Sequence, residues 1–168
     1  MIRQANINDV DEITDVHIAT WRSAYKGLIP EEDLANLDHT ERRKMWSASI
    51  QQHPSETIVA TKENSIIGFA NFGSYRENED DRGTAEIRAI YLLETYWGKG
   101  VGSELFDYCA DKIIASGYTS LVLWVLESNS RAIEFYRKHG LNYDGQKKTE
   151  IIRGVVLDEI RMAKSLGP

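Results

Sequence analysis

The chain has 168 residues, 42% of them hydrophobic and 27% charged, a length that supports one domain with a sizeable core and leaves little for a second. Its 26 acidic side chains outnumber 20 basic ones for a net charge of −6, and no block of Lys and Arg stands out, which argues against nucleic acid and anionic membrane as partners. The single cysteine, Cys109, excludes an intramolecular disulfide, and no run has the apolar length of a signal peptide or a membrane span; a soluble cytoplasmic protein is the expectation.

In chain order, Ile2 to Ala5 reads as a short strand and Asn8 as the cap of a helix reaching Tyr25, with Val10, Ile13, Val16 and Thr20 at helical spacing. Gly27 breaks that helix. Pro30, followed by acids, opens a second short helix, and Thr40 to Ile50 is a further candidate with a thin apolar face. From Thr57 the period becomes that of strands: TIVATKENSIIGFANFGSY predicts two strands joined by a tight turn at Glu63, Asn64 and Ser65. After the polar connection RENEDDRG, TAEIRAIYLLE is the next strand. Val101, Leu105, Phe106, Cys109 and Ile113 form one helical stripe that Gly117 ends. LVLWVLE is a continuous apolar run, as expected of a strand covered on both faces. Ser128 to His139 is helical, Gly140 stops it, and EIIRGVVLDEIRMAK closes the chain as strand. The order β-α-α-β-β-β-α-β-α-β-β implies an α+β or α/β sheet with helices packed against it.

The stretch YWGKGVGSELF carries glycines at Gly98, Gly100 and Gly102. Without Cβ atoms, consecutive N–H groups can turn toward one anion at a helix start, where the helix dipole favours the same charge. A diphosphate suits such a nest. The dinucleotide fingerprint requires G-x-G-x-x-G, and a P-loop requires Ser or Thr after Gly-Lys, whereas Gly98-Lys99 precedes Gly100. Neither fits, and a glycine-rich turn without a ligand remains open on these residues alone.

Trp97-Gly98-Lys99-Gly100-Val101-Gly102, after the strand EIRAIYLL, resembles the signature of the GNAT superfamily of N-acetyltransferases: Gln or Arg, two residues, Gly, any residue, then Gly or Ala. Trp97 stands where the family has Gln or Arg, which removes one side-chain donor and leaves the backbone donors. Downstream, LWVLESNSRAIEFYRKHGL is similar to the family's second block, with Asn129, Ala132, Phe135, Tyr136, Lys138 and Gly140 in place and Leu141 replacing the more usual aromatic. The strong match covers about Ala85 to Leu141. The resemblance implies a GNAT fold, that is, an α+β (three-layer α/β) arrangement with a mixed, mostly antiparallel sheet flanked by helices, and acetyl-CoA as cosubstrate. It further implies that Ile90, Tyr91 and Leu92 offer main chain to the pantetheine arm and that Trp97, Gly98, Lys99, Gly100, Val101, Gly102 and Ser103 wrap the diphosphate. An amide near Leu92 would polarise the thioester carbonyl, an effect of about 3 kcal/mol for a fixed oxyanion donor. Asn129 and Ala132 join the cofactor set, Asn129 either capping its helix or bonding the pantetheine arm, and Tyr136 protonates the departing thiolate.

The implied reaction is attack of a primary amine on a thioester. A lysine-like amine with a reference pKa of ~10.4 is neutral in only about one molecule in ~2,500 at neutral pH, so its proton must be accepted. Glu86, on the strand before the glycine loop, is the candidate base, directly or through water; its alternative is an ion pair with Arg88 or a neighbouring strand. Trp21 and Tyr25, four apart on one helical face, either close over a small-molecule or peptide amine or anchor the helix in the core. The acids Glu77, Glu79, Asp80 and Asp81 would attract a cationic acceptor or simply solvate a loop. Cys109 on an apolar stripe reads as a buried thiol, and His17, His39, His53 and His139 show no metal-ligand spacing, so no metal is expected. The rival readings are a transferase using another acyl-CoA and an acyl-CoA-binding regulator without turnover. Whether the chain is a monomer or a homodimer is open, although many relatives in that family form dimers.

Overall fold

A computed structural model of the chain describes residues 1–78 and 80–167. Seven strands form a mixed sheet: β1 (Ile2–Gln4), β2 (Thr57–Lys62), β3 (Ser65–Ser74), β4 (Thr84–Leu92), β5 (Ser120–Leu126), β6 (Asn142–Ile152) and β7 (Val155–Ser165), in the spatial order β1-β2-β3-β4-β5-β7-β6. The pairs β1/β2, β2/β3, β5/β7 and β6/β7 are antiparallel, and β4/β5 is parallel. The helices are α1 (Val10–Ala24), α2 (Glu31–Ala35), α3 (His39–Gln52), α4 (Val101–Ala115) and α5 (Ser130–Lys138). Three helices therefore precede β2, where the sequence-based order has two. The chain packs as two compact units, one of Met1–Asn71 with Ala89–Cys109, the other of Phe72–Arg88 with the chain from Ala110 onward.

In the first unit, Val10, Ile13 and Val16 of α1 meet Trp46 and Ile50 of α3, and Val59, Ile66 and Phe69 of the strands, in one buried cluster; Ala89, Tyr91 and Leu93 pack against it. A 3-10 turn at Ile7–Asp9 leads into α1, and its cap is not the expected Asn8. The side chain of Asn6 accepts the Asn8 N–H at 2.9 Å, and the Asn6 N–H donates to Asp9 at 2.8 Å, so Asn6 and Asp9 cap the entry reciprocally. Arg3 grips both oxygens of Asp9 at 2.7 and 2.8 Å and, by that hydrogen bonding, holds its carboxyl below the usual range. The β2–β3 turn is also shorter than expected. Glu63 and Asn64 alone turn the chain, with φ of 51° and 67°, and Ser65 already pairs with Lys62.

In the second unit, Leu121, Val122, Leu123, Val125 and Leu126 of β5 are buried, as their continuous apolar run predicts, while Trp124 is half-buried. β6 and β7 form a long hairpin turned by Arg153 and Gly154 at φ of 49° and 78°. β6 begins at Asn142, well before the apolar material at its end, and most of it is exposed. The parallel pairing of β4 with β5 is confined, among the described residues, to Thr84–Glu86 against Ser120–Val122. From Arg88 onward β4 passes from buried to half-buried. Among the described residues, no helix is long and apolar enough to cross a membrane.

Candidate active site

The first unit holds the end of β4, a tight connection and the start of α4. The carbonyls of that connection are turned inward. Leu92 accepts from the Trp97 indole Nε1–H at 2.8 Å, Leu93 from the Tyr96 N–H at 2.9 Å and Glu94 from the Trp97 N–H at 3.1 Å. Gly98 and Gly100 follow at φ of 71° and 87°, left-handed conformations that a Cβ would strain although nothing lies within 4 Å of one. These glycines answer to backbone direction, not crowding. The first helical bond of α4 runs from the Glu104 N–H to the Gly100 carbonyl at 3.1 Å, so the amides of Val101, Gly102 and Ser103 start a helix with no preceding turn to supply acceptors. Carbonyls folded in and amides opening a helix make a mouth of positive potential. Two cations add to it, Lys62 Nζ at 5.3 Å and Lys99 Nζ at 5.6 Å from the centroid of the Tyr96 ring. This donor set fits a diphosphate.

Ile90, Tyr91 and Leu92 lie half-buried beside that mouth. Their backbone is backed by Gly68 of β3, where an added Cβ would sit 2.8 Å from the Tyr91 carbonyl oxygen and 2.9 Å from Leu92 Cδ1. Such a clash would push the strand, so the glycine sets where the strand runs. The Tyr91 ring stacks on His17 at 5.2 Å and 25°, and His17 Nδ1 accepts the Trp46 indole N–H at 2.9 Å. Sequence reasoning missed His17, although its place four residues after Ile13 puts it on the apolar stripe of α1.

Burial, with the nearby Arg42 charge, lowers the His17 pKa to about 4 from 6.5. The neutral ring is therefore the folded form, and in the unfolded chain the same group takes a proton below its ordinary value. Stability is complete above pH 6.5 and falls as the pH drops toward 4, by about 3 kcal/mol from this group. Chemical denaturation at about pH 7.5 and about pH 4 tests this: wild type should lose about 3 kcal/mol more than His17→Gln over that interval. Equal losses would show that His17 does not carry the acid sensitivity.

Trp21 and Tyr25 are half-buried with ring centroids 4.5 Å apart, and the Arg42 guanidinium lies 4.9 Å from the Trp21 ring centroid. They do not line the cleft of about 240 Å³ on the neighbouring side of α1, which is formed by Ala19, Thr20, Ser23, Leu93, Glu94 and Thr95.

In the second unit, Glu86 is only 2% exposed, and Arg76 occupies both of its oxygens at 2.7 and 3.1 Å. Arg76, ten residues before it and without a periodic relation to it, is thus an ion-pair partner of Glu86, while the Arg88 guanidinium donates to the Ser74 carbonyl at 3.0 Å. Asn129 caps α5, accepting the Ala132 N–H at 3.1 Å. Ala132 and Tyr136, one helical turn apart, share a face beyond that cap, and Tyr136 is half-buried while Ile133 carries the buried side of the helix. Leu141 is fully buried, so the residue that departs from the family's aromatic still serves as an anchor.

Of the acidic connection, Glu77 is bound by Lys148 at 2.8 Å and by the Tyr75 hydroxyl at 3.1 Å, and Asp81 accepts the N–H groups of Gly83 and Thr84. Glu79 lies outside the described residues. The loop acids are thus partly spent on the fold itself. Cys109 is fully buried, and burial pushes its thiol far above the ordinary range, which suits packing and not nucleophilic attack. Among the described residues, no group of three or more His, Cys, Asp or Glu could hold a metal ion.

The chain is similar to known proteins in sequence and in fold. The chain is 31% identical over 159 residues to the uncharacterized N-acetyltransferase YuaI of Bacillus subtilis, covering 95% of this chain and 89% of that one. It is 24% identical over 156 residues to the spermidine N(1)-acetyltransferase of Thermoplasma acidophilum, covering 90% and 93%. In fold it matches the PaiA N-acetyltransferase of Thermoplasma acidophilum, solved in complex with coenzyme A, at a TM-score of 0.78 and 22% identity over 98% of each chain. The family model described as acetyltransferase (GNAT) family matches residues 15–141, and the chain belongs to that family.

Proposed function

We propose that the chain is an N-acetyltransferase that moves an acetyl group from acetyl-CoA to the primary amine of a small molecule or peptide, by direct attack in a ternary complex and as one domain. The observation that carries this reading is the mouth at the start of α4, with the Leu92, Leu93 and Glu94 carbonyls satisfied within the turn and helix-opening amides behind two left-handed glycines. Acetyl-CoA supplies an activated acyl group as a thioester. The amides of Gly98 to Ser103 and the Lys99 ammonium would hold its diphosphate, and the main chain of Ile90 to Leu92 its pantetheine arm. The backbone N–H near Leu92 is the donor for a developing negative charge on oxygen. Tyr136 gives its hydroxyl proton to the departing sulfur, and Glu86 takes the proton of the attacking amine, directly or through one water.

The Arg76 grip on Glu86 favours a second reading of that one residue, as a structural ion pair, because both of its buried carboxylate oxygens are already engaged.

Calorimetric titration with acetyl-CoA, and in parallel with ATP and NADH, tests the proposal. Micromolar binding of acetyl-CoA alone, followed by thiol release with a panel of primary amines including polyamines, is the expected result. Absence of acetyl-CoA binding would overturn it. Binding without thiol release from any amine would favour an acyl-CoA-binding regulator.

A further inference from the structure

Trp97 stands at the junction of two stretches of backbone that one ligand would have to engage together. Its main-chain N–H is tied to the Glu94 carbonyl at 3.1 Å, and its indole reaches back to the Leu92 carbonyl at 2.8 Å. Gly98 follows directly at φ 71°, so the orientation of residue 97 sets the direction in which the amides beyond it point. On the other side of the bond, the strand end has a fixed place. The Leu93 N–H donates to the Ile67 carbonyl at 2.9 Å, and Gly68 leaves Tyr91 and Leu92 no spare space. The indole is rigid and has a single donor, so it couples the glycine loop to a strand that cannot shift.

We propose that Trp97 is a positioning residue whose indole N–H, through the Leu92 carbonyl, holds the diphosphate loop in register with the pantetheine-binding strand before the cofactor arrives. This deepens, and rests on, the acetyl-CoA reading above. A ligand that engages both stretches gains from the second contact only if the two are held at the spacing it spans. A ligand that engages the loop alone has no such requirement. At the position where the resemblance has Gln or Arg, this chain therefore carries a donor aimed at the protein itself.

The test uses the full chain, with acetyl-CoA and its nucleotide part alone, 3′-phosphoadenosine 5′-diphosphate, as probes. In Trp97→Phe, which keeps an aromatic ring without the donor, acetyl-CoA affinity should fall by about three- to tenfold, the scale of one lost hydrogen bond, while nucleotide affinity stays within about twofold. Unchanged acetyl-CoA affinity, or an equal loss for both probes, would overturn the proposal. A second measurement does not depend on the variant folding: in the ligand-free wild type, the Trp97 indole proton should exchange with solvent far more slowly than that of an exposed tryptophan, as read by NMR. Free exchange would overturn the bond itself. Failure of wild type to bind acetyl-CoA despite a protected indole would instead overturn the cofactor reading and the positioning role with it, leaving the bond as a feature of the turn.

Discussion

Phe69→Ala is expected to destabilise the protein by about 3–5 kcal/mol, the range for emptying the site of a fully buried aromatic. Phe69 is 0% exposed, with its ring centroid 4.9 Å from that of Trp46, 5.4 Å from that of Tyr91 and 6.3 Å from that of His17. Three rings set edge-on to it cannot collapse together into the space it leaves, because Trp46 and His17 are fixed to each other by a hydrogen bond. The measurement is urea denaturation, with a lower midpoint and an unchanged slope. A loss below about 1 kcal/mol would mean that the cluster repacks and is not the rigid support described. The functional corollary is graded: because the ring contacts Tyr91 on the strand assigned to pantetheine, the folded fraction of the variant should also bind acetyl-CoA less tightly.

Tyr136→Phe should lower kcat by about 10²- to 10⁴-fold, the span of a lost general acid or base, and leave acetyl-CoA affinity within about twofold. The variant keeps the ring and its edge contact with Phe135 at 5.3 Å, so the loss isolates the hydroxyl. Glu86→Gln separates the two readings of that carboxylate in the same assay. As the amine's proton acceptor, its replacement should lower kcat/KM of the folded enzyme. As an ion-pair partner of Arg76 alone, it should lower the unfolding midpoint and leave kcat/KM of the folded enzyme in place. An unaltered rate in Tyr136→Phe would remove Tyr136 from the chemistry and return it to a packing role beside Phe135.

Much of the fold was legible because its signals are local. The α4 stripe of Leu105, Phe106, Cys109 and Ile113 is buried as a stripe, and the continuous run in β5 is a buried strand. What was misread lacked a local signature. The sequence reading begins the closing strands at Glu150, because nothing apolar alternates through Asn142 to Thr149, yet pairing with β7 makes that stretch strand from Asn142. At the entry to α1, Asn6, Asn8 and Asp9 all had capping chemistry, and the choice of Asn6 with Asp9 depends on Arg3 reaching the Asp9 carboxylate.

The glycine loop and the strand and helix that flank it follow from local sequence alone. A left-handed backbone at Gly98 and Gly100 and a helix start behind them are properties of neighbouring residues, and their chemistry toward an anion follows from the peptide groups. What individual side chains do is decided by packing within each unit. Whether the indole of Trp97 faces ligand or strand, whether Glu86 is bare or held by Arg76, and whether His17 is charged depend on which group the folded backbone brings within about 3 Å, and on how much water burial has removed. Distances of that kind are set by packing, which no short stretch of chain encodes alone.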